Sequence, residues 1–318
     1  MDTLLNKLQS LTRPEHQHQI LYTTTATTAA LLALLAYSRH CYLEWHALGE
    51  GGVPRDLRGW LINVLAHVVA RRDHRGVPAP YEKVNNSNNN DTKQTKSQKG
   101  DSTTTIVLSA RDEEKYGPWS KISFFPESFS LPFYKGPRPT VPTTVLPQRQ
   151  TTQTASPETL SRQSAYLHAV ASANPSLFAV RPSALESPKF DALWLVRGEG
   201  EGEEEEEEEV VVDPGSVKWF PPQARGETVH VHPEGSTHMC LSLVDAAEVV
   251  RRGWGERHKM SGVAGVLPWG YVLIYAPREG GADDDGKGDW EVWKELVIAA
   301  ARVVARSAGF EGEVVVPE

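Results

Sequence analysis

Eight prolines fall between Pro118 and Pro157, and this stretch constrains the fold more than any other. Proline lacks an amide hydrogen and fixes its own φ, so a segment interrupted this often cannot run as helix or as an inner strand. It reads as extended, ordered coil. The packable elements are then found mainly after it. Ser156 precedes Pro157 as an N-cap, and Leu160, Tyr166, Leu167 and Val170 supply a buried stripe for a helix. Residues 192–196, 228–232, 238–243 and 271–275 have strand length and strand composition. Residues 245–252 and 289–308 read as helices, the second placing Val292, Trp293, Leu296, Val297 and Ala300 on one face. Strands and helices without regular alternation predict an α+β domain, a small and mostly antiparallel sheet packed with helices.

Two runs do not belong to any core. Residues 85–105 contain no apolar side chain, so no burial offsets the entropy of ordering them, and a disordered insertion is expected. Residues 198–209 form a second insertion, rich in Glu, extended by its own repulsion. The formal charge of -8 comes from 33 Lys plus Arg against 41 Asp plus Glu. Nine of those acids are Glu199, Glu201 and Glu203 to Glu209; without them 32 acids face 33 bases. The body is close to neutral and has no basic block, which argues against a nucleic-acid partner. Two distant cysteines, Cys41 and Cys240, exclude a disulfide scaffold.

The stretch 20–37 carries no charge and has aromatic residues near its ends, Tyr22, Tyr37, Tyr42 and Trp45. A tail over 1–19 followed by an uncleaved, single-pass transmembrane helix over 20–38 is the expectation, with the endomembrane system as its location. The helix expected next, 57–70, is too short to span, and core packing is favoured over a position on the membrane surface.

Chemistry concentrates in His230, His232, His238 and His258. Along a strand, residues two apart face the same way, so His230 and His232 project together, and His238 can meet them across a hairpin. Converging neutral imidazoles suit a metal ion, suit a general base, or are simply packed. The spacing leaves all three open. The chain has no nucleophile elbow, no dinucleotide-binding glycine motif, no HExxH and no CxxC, so hydrolase, dinucleotide-enzyme and zinc-protease readings lack support.

Several ordered motifs carry a resemblance: EWHALGEGGVPRDLRGWLINVL from Glu44, PFYKGPRPTVPTTVLPQRQ from Pro132, THMCLSL from Thr237, RRGWGERHKMSG from Arg251 and YVLIYAPR from Tyr271. Their order and spacing resemble the fungal luciferase domain family. The resemblance implies a luciferase-like domain over 44–310 and oxygenation of a hydroxylated styrylpyrone of the hydroxyhispidin type. That chemistry uses molecular oxygen as co-substrate, with no metal and no other cofactor, and it would make the partner a small aromatic, polyketide-like molecule. Such an oxygenase must deprotonate its substrate and hold the anion, which needs a base and fixed positive charge. The expected base is His232 or His230 with His238 as partner, while Arg257, His258 and Arg278 stabilise enolate and peroxide. Trp254 and Tyr275 are expected to wall the site, with Arg149 and Arg138 as substrate anchors. A metal-dependent enzyme built on His230, His232 and His238 is one alternative; a non-catalytic, membrane-tethered binding or scaffold protein is the other.

Overall fold

In the computed structural model the described residues are 14–77, 116–117, 119–196, 225–280 and 288–317. The expected insertions at 85–105 and 198–209 lie outside them. Six short strands make one antiparallel sheet: β1 (Phe178–Pro182), β2 (Asp191–Leu195), β3 (Glu227–Val231), β4 (Thr237–Cys240), β5 (Gly255–Arg257) and β6 (Tyr271–Ile274), in the order β1-β2-β3-β4-β6-β5. With helices packed on it, the sheet makes the domain α+β, as the sequence predicts. The edge strands β1 and β5 were not expected from the sequence. They are short, and β5 opens directly after Gly253, whose φ of +85° ends the preceding helix in the left-handed conformation that glycine tolerates.

Among the described residues the five helices are α1 (Pro14–Ala47), α2 (Leu57–Val69), α3 (Pro157–Ala173), α4 (Leu243–Arg252) and α5 (Asp289–Ser307). Ser156 caps α3 as expected, its hydroxyl accepting from the amide of Thr159 at 3.1 Å. The predicted face of α5 is buried, and Trp293 donates through Nε1 to the Thr237 hydroxyl at 2.9 Å, fixing the helix on β4. Val229, Met239, Val272 and Ile274 lie under it, each at most 1% exposed. The coil through 119–156 forms no strand and no helix of its own, yet Leu131, Val145, Gln148, Arg149 and Gln150 within it are buried.

The two N-terminal helices differ from expectation. The helix expected around 20–38 exists within α1, but no helix of the described residues is long and apolar enough to cross a membrane. The clustered threonines are the physical reason: they dilute the apolar run, and Thr23 and Thr27 turn their hydroxyls back onto the carbonyls of Gln19 and Thr23. The core packing expected of 57–70 is also overturned. In α2 the buried residues are Gly59 and Asn63, whereas Leu57, Leu61, Leu65 and Val68, spaced along one face, are exposed.

Candidate functional site

Pleating sends alternate residue rows of a sheet to opposite faces. One row runs Ala192, His230, His238, Leu273 and Glu256 across β2, β3, β4, β6 and β5; the next runs Leu193, Val229, Met239, Val272 and Arg257. The second row faces α5. The first faces the coil segments, and it brings His230 and His238 together. His232 joins them from the turn that closes the β3-β4 hairpin, where its amide donates to the Ser236 carbonyl at 2.8 Å. Gly235 sits in that turn with φ +91°, and any Cβ there would collide with Ala155. His258, one residue past β5, returns to the histidine face.

Four imidazoles therefore cluster in one patch, their rings tilted or edge-on to one another. Ring centroids lie 5.1 Å apart for His230 and His232, 5.3 Å for His230 and His238, 4.6 Å for His232 and His238, and 5.1 Å for His238 and His258. None of them is more than 3% exposed. His230 Nδ1 meets a carboxylate oxygen of Glu227 at 2.7 Å, and His232 Nδ1 meets the Ser236 hydroxyl at 2.8 Å, which in turn donates to Glu234. His238 Nδ1 contacts His230 Nε2 at 3.3 Å, and the amide of Met260 donates to His258 Nδ1 at 3.0 Å. Glu186 enters from the segment between β1 and β2, paired with Arg149, its Oε1 lying 3.9 Å from His232 Nε2.

Burial dominates the electrostatics. It pushes the His238 pKa well below its ordinary value, helped by the other histidines, and it pushes His258 down to about 3, helped by Lys259. His232 is also lowered by burial, against the pull of Glu234 and Glu186. At neutral pH these three rings are uncharged and can act as bases or ligands. Burial would raise Glu227, but its bonds from His230 and Ser183 and the Ala184 amide outweigh that and hold it in the carboxylate form.

Other residues singled out in the sequence lie elsewhere. Arg257 is in the row facing away from the histidines; its Nη2 donates to the Ser261 carbonyl at 3.4 Å and its Nη1 lies 3.6 Å from Asp73. Arg278 pairs with Asp289 at 2.6 Å and lies over the Tyr134 ring. Arg138 donates to the Val250 carbonyl, and Trp254 to the Pro132 carbonyl. Tyr275 packs with Val141, Leu273 and Tyr134, its hydroxyl 3.4 Å from Glu256. Arg149 is the exception. Its guanidinium binds Glu186 beside the histidines and also the carbonyls of Leu48 and Glu50. Leu48 lines an open groove of about 820 Å³ between α1, α2 and residues 142–151, with Leu34, Tyr37, Trp45, Trp60 and Val64 among its apolar walls. One guanidinium thus contacts both a residue of the groove wall and the carboxylate beside the histidines.

The sequence reading missed Glu186, Glu227 and Lys259. Glu227 had no clear signal, since three residues before His230 on a regular strand it would face the other way, and a register shift between β2 and β3 lies beside it. Lys259 clamps the coil, its ammonium donating at 2.7 Å to the carbonyls of both Pro142 and Thr144, and burial lowers its pKa to about 8. Glu186 had none, because its position depends wholly on tertiary folding.

Residues 225–300 match the Luciferase domain. The matched segment begins just before β3 and ends within α5, so it contains all four clustered histidines and the first part of the helix that backs the sheet. Glu186 and Arg149, which complete the patch, come from outside it. No curated protein and no solved structure matches the chain.

Proposed function

We propose that this luciferase-like chain is an oxygenase acting on an electron-rich enol, of which a hydroxylated styrylpyrone is the model substrate. The observation that supports it is the coincidence of the Luciferase-domain segment with a buried patch of histidines in which His232, His238 and His258 are uncharged. Dioxygen in its triplet ground state reacts poorly with closed-shell molecules, and an enolate overcomes this by giving up an electron. A neutral imidazole of the patch is the base that makes the enolate, and Arg149 is the fixed positive charge beside it. The groove suits an aromatic ligand in size and lining. Arg149 contacts both the Leu48 carbonyl at the groove wall and Glu186 beside the histidines, which makes it a better candidate for anchoring substrate than Arg138 or Arg278. The exposed apolar faces of α1 and α2 support attachment to a membrane surface beside the groove mouth.

The test supplies a hydroxylated styrylpyrone to the purified chain with and without oxygen and follows oxygen uptake, substrate loss and light. Oxygen-dependent substrate loss that falls about a hundredfold or more in His238→Gln is the expected result. A folded chain that consumes neither oxygen nor pyrone would favour a binding or scaffold protein.

A further inference from the structure

We propose that His230, His232, His238 and Glu186 form the binding site of a single divalent transition-metal ion. Each offers one ligand atom, and these atoms lie within 4.8 Å of one another. Donors held about 2.1 Å from one ion sit up to about 4.2 Å apart, so only a small inward movement separates this arrangement from a closed coordination shell.

Three features favour an ion over simple packing. First, His232 Nε2 and His238 Nε2 are buried and have no hydrogen-bond partner among the described residues. A packed histidine normally has its buried ring nitrogens satisfied, since each unmet one costs free energy. Secondly, two rings are held from behind: Glu227 holds His230 Nδ1, and Ser236, backed by Glu234, holds His232 Nδ1, while the contact inside the cluster joins His238 Nδ1 to His230 Nε2 at 3.3 Å. This fixes ring orientation with Nε2 facing inward, which is the outer-shell pattern of metal-bound imidazoles. Glu186 is steadied in the same way, by Arg149 and by the Ser183 hydroxyl on its amide.

Thirdly, the site is rich in carboxylates: Glu186, Glu227 and Glu234 all lie against the imidazoles, and Arg149 is the cation paired with the first of them. Three imidazoles with one carboxylate, and no thiolate, suit iron(II), manganese, cobalt, nickel or zinc rather than a soft ion or calcium. The inference departs from the metal-free chemistry that the family resemblance implies, and it does not rest on the oxygenase reading.

The test uses the full chain without a histidine tag, stripped by chelator and then titrated with cobalt(II). The expected results are one ion per chain by elemental analysis after desalting, a visible d–d absorption band and a raised unfolding temperature. His238→Gln should abolish the band, and Glu227→Gln should weaken binding about tenfold to a hundredfold by loosening His230. His168→Gln, on the exposed side of α3, should change nothing. If His238→Gln fails to fold, Glu186→Gln carries the same prediction of lost affinity. No retained cobalt and no band in the unaltered chain overturns the proposal, as does unchanged binding in Glu186→Gln and His238→Gln together. An ion bound without pyrone turnover keeps the site and removes the oxygenase reading; turnover by a chain that retains no cobalt and shows no band does the reverse.

Discussion

On one face of the sheet, Val229, Met239, Val272 and Ile274 meet α5, a single helix whose buried face can be read from its own periodicity. On the other, His230, His238 and Glu256 meet residues drawn from the α1-α2 connection, the coil at 142–150 and the segment between β1 and β2. The strands are the same and successive residues serve both faces. The first face is held by area and shape; the second by named polar contacts, many of them between residues more than 80 positions apart. A helix can satisfy its own backbone, so it can cover an apolar face without polar help. Coil cannot, and whatever it covers must supply donors and acceptors.

The sharpest way to separate the two faces is to remove packing from the first. Trp293→Ala deletes a fully buried indole that also contacts Tyr166, Trp290 and the Thr237 hydroxyl. A loss of about 4 kcal/mol in urea unfolding is expected. The fraction still folded should keep its cobalt band, since the indole lies on the far side of the sheet from the histidines. Loss of the band in folded protein would mean that the faces are not independent.

The histidine face is exposed by acid instead. His258, pushed down to about 3, and His238, well below its ordinary value, stay uncharged in the native state while the unfolded chain takes up protons near pH 6.5. The native state thus binds fewer protons, and stability is complete above about pH 6.5 and falls as pH drops toward 3. For His258 alone the fall between pH 6.5 and 4 is about 3 kcal/mol in the metal-free chain. The difference in urea midpoint between the unaltered chain and His258→Gln should therefore change with pH over that window. Trp293→Ala should show a shift of the same size at each pH. A His258→Gln difference independent of pH would mean that this ring is protonated in the folded chain.

The same contrast explains what could be read in advance. Elements stabilised by their own sequence were legible: the Ser156-Pro157 cap, the apolar face of α5 and the alternation that aims His230 and His238 together. The segment 57–70 misled because helical spacing shows which residues share a face and says nothing of whether another element covers it. Of the four arginines, the sequence favoured Arg257 and Arg278 for holding the enolate and peroxide and left Arg149 and Arg138 as substrate anchors. Only register and tertiary contact separate Arg149, at the histidines, from Arg257, one row over on the opposite face. Glu186 was invisible because nothing near it marks a site.

The smallest effect probes how the coil is held. Asn63, buried in α2, accepts from the amides of Val145 and Leu146 at 2.9 and 3.0 Å, just ahead of Gln148, Arg149 and Gln150. His67, one turn on, bridges the Asn63 carbonyl and that of Thr143. Asn63→Ala leaves two amides without an acceptor and creates only a small void, so about 2 kcal/mol should be lost, roughly half the Trp293→Ala effect. Asn63→Asp keeps the acceptor and should recover part of it. If polar contacts hold this face, the loss will be local: amide exchange will quicken at residues 145–150, and cobalt affinity will fall because Arg149 no longer steadies Glu186. If exchange quickens equally in α5, the coil is integral to the core, and the division between a packed face and a hydrogen-bonded one does not hold.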